Sequence, residues 1–222
     1  MRVYLDHNAT SPLRPAVRAA MQAAMDVHGN ASSIHAEGRA ARKLVDDARE
    51  QLALALGCLP QMMVFTSGGT ESNFSAVHAA REWARVHKPK VRRPNIVAPR
   101  TIHPSLVKGA HYLDVEVIPT EIDADGRGIA SNIAAALNDE TIMVAASAPT
   151  WHFARIDPIP QIAAVAADAG LWMHVDACYG GFAALAPSVQ ERFAGLALAD
   201  SIALDPHKWL YVPFECGSLL FR

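Results

Sequence analysis

The stretch Met62–Val86, MMVFTSGGTESNFSAVHAAREWARV, decides the fold. It opens with an unbroken apolar run, MMVFT, which is too short for a helix and bounded by a turn, so it predicts a buried strand. Two adjacent glycines, Gly68 and Gly69, follow, and apolar residues then recur at helical spacing through ESNFSAVHAAREWARV (71–86). A strand that passes through a glycine turn into a helix is the building unit of parallel sheets covered on both faces. The alternation continues downstream. NIVAP (95–99), VEVIP (115–119), IMVAAS (142–147), LWMHVD (171–176) and SIALD (201–205) predict further strands, with helical patterns at SNIAAALND (131–139) and PIPQIAAVAADAG (158–170). Upstream, PAVRAAMQAAM (15–25) predicts a helix with Pro15 in its first turn. A second helix is predicted in AARKLVDDAREQLALALG (40–57), with Val45, Ala48, Leu52 and Leu56 on one face and Gly57 as its stop. The expected fold class is α/β, a three-layer α/β/α arrangement around a mostly parallel sheet.

A chain of 222 residues is long enough to bury a core of its own, and no repeat or linker divides it. One domain is expected over residues 1–222, with 1–60 a helical N-terminal segment packing on it. Hydrophobic content of 51% and charged content of 19% describe an ordinary soluble globular chain. A net charge of -2 without a basic block argues against nucleic acid as a partner. No apolar run approaches the roughly 20 residues a membrane helix needs, so no membrane is expected. The start, MRVYLDHNATSP, lacks the apolar core of a secretion signal, and Cys58, Cys178 and Cys216 show no disulfide pattern; both point to the cytoplasm.

In sheets of this kind ligands bind beyond the carboxyl ends of the strands. After MMVFT, Gly68 and Gly69 let backbone N–H groups approach an anion at a helix N-terminus, and Thr70 is expected to cap that helix; a plain tight turn is the alternative. After NIVAP comes His103, and after LWMHV comes Asp176, a ligand for a cation or ring N–H or else a simple cap. After SIALD comes Lys208, flanked by His207 and Trp209 and set among apolar residues and prolines, unlike a solvated surface lysine. An anion cradle, an aromatic ring, a carboxylate and an amine together match the needs of pyridoxal 5′-phosphate. Lys208 is then expected to form a Schiff base with it, its pKa lowered from about 10.4 toward roughly 7–8 by neighbours such as Trp209 and Leu210. A metal site from His103, His174, Asp176 and His207 is the competing arrangement; no pair has ligand spacing within one motif, and no metal is expected.

Three groups of motifs carry a family resemblance. YLDHNATSPLRPAV, HGNASSIHAEGRAARKLVDDARE and VFTSGGTESN resemble cysteine desulfurases of the class V aminotransferase group. AREWAR, SAPTWHFARIDPI and HVDACYGGF are similar to sphingosine-phosphate-lyase-type enzymes, and ADSIALDPHKWLYVPFECGSLLFR to group II amino-acid decarboxylases. All resemble the large domain of fold type I pyridoxal-phosphate enzymes, over essentially the whole chain. The resemblance implies that Gly69 and Thr70 hold the phosphate with His207 beside it, and that His103 stacks on the ring. Asp176 would pair with the ring nitrogen, Ala177 and Cys178 would pack at the ring edge, Thr150 would lie near the ring hydroxyl or substrate, and Lys208 would be the Schiff-base lysine. It implies a homodimer acting on a small-molecule amino-acid substrate, most simply a decarboxylase or carbon–carbon lyase. A cysteine desulfurase or aminotransferase is the alternative, weakened because Cys216 is the only cysteine after Lys208 and sits where decarboxylases also carry one. The family's C-terminal small domain is expected to be absent, because the chain stops at Arg222; a truncated, recombined or engineered cofactor-binding domain without turnover is the third reading.

Overall fold

Seven short apolar runs become strands in the computed structural model, which describes residues 3–222: β1 (Met63–Thr66), β2 (Asn95–Pro99), β3 (Glu116–Thr120), β4 (Thr141–Ser147), β5 (Trp172–Asp176), β6 (Ser201–Leu204) and β7 (Gly217–Phe221). They form one sheet in the order β1-β7-β6-β5-β4-β2-β3. β7 is antiparallel to both β6 and β1, while the pairings among β2 to β6 are parallel. Six strands therefore run one way and their carboxyl ends share one edge.

The helices are α1 (Pro15–Met25), α2 (Ala36–Leu56), α3 (Gly69–His87), α4 (Pro104–Tyr112), α5 (Ala130–Ala136), α6 (Ile159–Asp168) and the single turn α7 (Pro206–Trp209). The period-2 pleat of the strands separates the two covering layers. Ile96, Ala98, Met143 and Ala145 pack with Val77, Ala80, Leu106 and Ala110 of α3 and α4. Their sequence neighbours Val97, Val144 and Ala146 pack with Ile133, Ile159, Ile162 and Ala166 of α5 and α6 on the other face. Ile96, Leu106, Ile142 and Met143 are fully buried, each contributing about 1.5–3 kcal/mol by leaving water. The mostly parallel α/β/α arrangement is the one the strand–helix alternation implies.

The closing segment WLYVPFECGSLLFR is a strand only over Gly217–Phe221, because Tyr211 takes the left-handed backbone region at φ 61° and Pro213 has no N–H to give a ladder. Lys208 itself lies in the helical turn α7. The predicted apolar face of α2 is buried only at its C-terminal end: Leu52, Ala53 and Leu56 meet the core, whereas Val45 is 40% exposed. Gly57 does end this helix, at φ 70°, and no side chain of α1 is buried.

Candidate active site

The carboxyl edge of the sheet gathers residues far apart in sequence around a cavity of about 470 Å³. β1 delivers Ser67 and the Gly68–Gly69 turn at the start of α3, and β2 leads to His103 at the start of α4. β4 ends in Ser147, β5 in Asp176, and β6 leads to Asp205, His207 and Lys208; all line the cavity. Asn8, Ala9, Trp151, Tyr179, Phe214 and Glu215 complete much of the wall. Parallel pairing with no shift sets Ser147 beside Asp176 and Asp176 beside Ala203, so the polar groups end at one level.

The glycine turn is shaped by what lies behind it. A Cβ on Gly69 would come within 2.5 Å of Cys178 Sγ and 2.8 Å of Asp205 Oδ2, so only a bare Cα fits. Gly68 takes φ 157°, and a Cβ there would face His207 Cε1 at 3.7 Å. The first N–H groups of a helix have no partner within it, which leaves this turn able to receive an anion. Thr70 is not the cap. The cap position falls on Gly68, and Glu71 instead reaches back to accept the Ser67 N–H at 2.7 Å. Thr70 still lines the cavity from the first turn of α3.

His103 is held by Ser105, whose Oγ lies 2.8 Å from its Nδ1, and its ring meets Trp151 edge-on at 5.6 Å. Burial pulls the His103 imidazole below its ordinary pKa, with Lys208 adding to the effect and Asp176 opposing it. Asp176 is 6% exposed; its Oδ1 accepts the Cys178 N–H at 3.1 Å and its Oδ2 the Asn73 amide at 2.8 Å. His207 is fixed by a contact of 2.9 Å between Nδ1 and the Cys216 carbonyl, and its own carbonyl accepts from Thr10 at 2.9 Å.

Lys208 departs from expectation. Its Nζ lies 2.9 Å from Asp205 Oδ2, and the two side chains are 22% and 3% exposed. Burial alone would lower its pKa, as Trp209 and Leu210 led us to expect, but Asp205, with help from Cys178 and Asp176, more than offsets this and raises it. Among the described residues, Asp205 Oδ1 has no hydrogen-bond partner. The pairing could not be read from ALDPHKW, because only the turn of α7 brings position 205 back onto 208.

Two further residues sit elsewhere than the resemblance implies. Thr150 is fully buried and outside the cavity lining: its Oγ1 accepts the Arg155 N–H at 3.3 Å and closes its own loop. Ser147, three residues earlier at the end of β4, takes the place beside Asp176. Ala177 packs in the α5/α6 layer of the core and not on the cavity. His174 has both ring nitrogens occupied, by Ser201 Oγ at 2.9 Å and Asn73 Oδ1 at 3.0 Å, which removes it from any metal site. Among the described residues, no group of three or more His, Cys, Asp and Glu is placed to hold a metal ion.

A carboxylate, an imidazole, a lysine amine and a glycine-lined helix N-terminus thus surround one cavity at the carboxyl edge of a mostly parallel sheet. The fold agrees with solved structures. A sphingosine-1-phosphate lyase of Burkholderia pseudomallei superimposes with a TM-score of 0.79 at 24% identity, covering 96% of this chain and 53% of that one. Mouse CSAD superimposes with a TM-score of 0.80 at 26% identity, covering 96% and 48%. The chain belongs to the family described as the pyridoxal-dependent decarboxylase conserved domain, whose profile matches residues 42–222. It is 34% identical over 186 residues to a probable L-aspartate decarboxylase of Thermococcus gammatolerans, covering 82% of this chain and 47% of that protein. It is 36% identical over 180 residues to an IscS-like cysteine desulfurase of Mycobacterium tuberculosis, covering 78% and 45%. The chain thus spans about half the length of these curated relatives. The cofactor of this family is pyridoxal 5′-phosphate, and the cavity fits it. The fit rests on the bare Gly69 cradle, the acceptor-rich Asp176 and the amine of Lys208, all facing the same space.

Proposed function

We propose that this chain forms the cofactor-binding part of a pyridoxal-phosphate-dependent amino-acid decarboxylase. The observation that carries this reading is the convergence of Lys208, Asp176 and His103 on one cavity floored by the Gly68–Gly69 turn. In this reading the amine of Lys208 would hold the cofactor at its aldehyde, and the first turn of α3, with Gly69, Thr70 and His207, would hold its phosphate. When bound, the cofactor supplies an electron sink for charge that develops on the substrate carbon. Asp176 would support that sink by facing the ring nitrogen. His103, kept neutral by burial, offers an uncharged ring face for stacking. Asp205, 2.9 Å from Nζ, pairs with the Lys208 amine and raises its pKa, so the proton that the amine must lose before it can bond is held more tightly.

The substrate class is an amino acid, supported by relatives named as L-aspartate and L-tyrosine/L-aspartate decarboxylases. Cysteine desulfuration is disfavoured by the cavity's own cysteine: burial raises the Cys178 thiol far above its ordinary pKa, and Asp176 and Asp205 add to this, so little thiolate forms. A homodimer is supported by the N-terminal segment, where Leu5 is 83% exposed, Met25 74%, Ile34 91% and Leu54 83%. The three free cysteines fit a reducing compartment such as the cytoplasm. The test is spectroscopic: pyridoxal phosphate added to the protein is expected to give an imine absorbance band that borohydride traps on Lys208. A band that persists in Lys208→Ala would overturn the assignment, as would no band at all; carbon dioxide release from aspartate or tyrosine then separates decarboxylation from sulfide release from cysteine.

A further inference from the structure

Behind the cavity wall, a buried polar chain runs from β5 and β6 through α3 to the start of α4. Trp172 Nε1 contacts Ser201 Oγ at 2.9 Å, and Ser201 Oγ contacts His174 Nδ1 at 2.9 Å. His174 Nε2 contacts Asn73 Oδ1 at 3.0 Å, and Asn73 Nδ2 reaches both Asp176 Oδ2 at 2.8 Å and Ser105 Oγ at 2.9 Å. Ser105 Oγ ends the chain on His103 Nδ1 at 2.8 Å. His174 is fully buried, and Ser201 and Asn73 are each 1% exposed, so no member in the middle has water as a substitute partner.

The direction of every bond follows from the two ends. An indole N–H only donates and a carboxylate only accepts. Trp172 therefore donates to Ser201, and the single hydroxyl hydrogen of Ser201 is free for His174 Nδ1. Burial pushes the His174 pKa down to about 4, so at neutral pH the ring carries one hydrogen. Asp176 takes an N–H of Asn73, which turns Asn73 Oδ1 toward His174 and puts that hydrogen on Nε2. That hydrogen goes to Asn73 Oδ1. The amide is then locked with both of its hydrogens outward, one to Asp176 and one to Ser105. Ser105 passes its own hydrogen to His103 Nδ1, leaving the other hydrogen of the neutral His103 ring on Nε2. Flipping Asn73 would set its carbonyl oxygen against the Asp176 carboxylate and its amine against the His174 N–H, so both ends demand the same orientation.

We propose that His174 is a positioning residue for the cofactor site, acting through Asn73 to hold the Asp176 carboxylate and the His103 ring in one fixed relation. None of these three contacts can be adjusted alone, because a single amide makes the bond to one and feeds the bond to the other. The inference rests on the proposed roles of Asp176 and His103, but the chain exists in the apo protein and is measurable there.

The first measurement is long-range ¹H–¹⁵N NMR on histidine-labelled apo protein, which reads the tautomer of each ring. His174 and His103 are both expected as Nε2–H tautomers, and Ser201→Ala is expected to disturb the His174 ring while leaving the fold intact by circular dichroism. The second is titration with pyridoxal phosphate followed at the imine band. His174→Leu is expected to weaken binding about tenfold or more, the scale of a hydrogen bond to a charged group, and His174→Gln, which keeps a donor, to recover most of it. An Nδ1–H tautomer at His174 in the wild type overturns the inference whether or not the variants fold, and so does a His174→Leu protein that binds within twofold of wild type. If wild type forms no imine band, the proposed function falls instead, and the tautomers still decide the chain.

Discussion

Replacing Asp205 with asparagine is the sharpest perturbation the site offers, because it keeps the shape and removes one charge of a buried pair. At 2.9 Å, opposite charges attract by about 6 kcal/mol at an effective dielectric constant near 20. Most of that attraction is offset by the cost of taking both charges out of water, so the pair itself adds little. Removing one partner is different, since it leaves the other buried and unpaired, at a cost of about 3–5 kcal/mol. Lys208 is 22% exposed and can shed its proton, which puts the expected loss at the lower end, about 3 kcal/mol. For a chain of this size that corresponds to roughly 6–12 °C in the apo melting temperature. The sign with pH follows from the raised Lys208 pKa: its contribution is fully present below the ordinary lysine value of 10.5 and is lost as pH rises through the raised one. The gap between wild type and Asp205→Asn should therefore hold up to pH 10.5 and close only above it. With the carboxylate gone, burial dominates and the amine is neutral at lower pH. Stopped-flow absorbance should then show faster imine formation at pH 7 in the variant than in wild type. A variant that melts within about 2 °C of wild type and has the same pH–rate profile refutes the reasoning.

Two other substitutions probe the walls of the site. Gly69→Ala drives a methyl group to 2.5 Å from Cys178 Sγ; a loss of about 1–3 kcal/mol and weaker pyridoxal phosphate binding are expected, partly recovered in the Gly69→Ala/Cys178→Ala double variant, as thermal melts and titration would show. Asp157 accepts the Gly128 N–H through Oδ1 and the Ser147 N–H through Oδ2, each at 2.7 Å, and burial raises its pKa from 3.8 to about 6. Asp157→Asn satisfies only one of those donors and should cost about 1–3 kcal/mol. Because the native carboxyl holds its proton to higher pH, the wild-type advantage is greatest near pH 4 and shrinks by up to about 3 kcal/mol by pH 7; urea melts at both pH values check this.

The strand ends were legible because apolar period and turn residues are local properties. NIVAP and PAVRAAMQAAM match β2 and α1 residue for residue. Gly69, His103, Asp176, Cys178, His207 and Lys208 do converge on one cavity, since parallel strands of similar length end at one level. Asp205 was not singled out, although it stands three residues before Lys208, because an aspartate before Pro206 reads as an ordinary cap. Ser147 and Asn73 were also passed over: a serine ending a strand and an asparagine inside a helix carry no local sign of their partners. Thr150 was placed near the ring by motif likeness, and its loop turned it inward.

By itself, then, the sequence determined the alternation of strands and helices, the glycine turn and the lysine-bearing segment, all written in residues a few positions apart. Only the tertiary structure decided that Lys208 is ion-paired and not merely desolvated, and that Asn73, His174 and Ser201 stand in line behind Asp176. Those contacts join residues 101, 103 and 27 positions apart, and hydrogen-bond direction and charge act through space, so no pattern along the chain carries them.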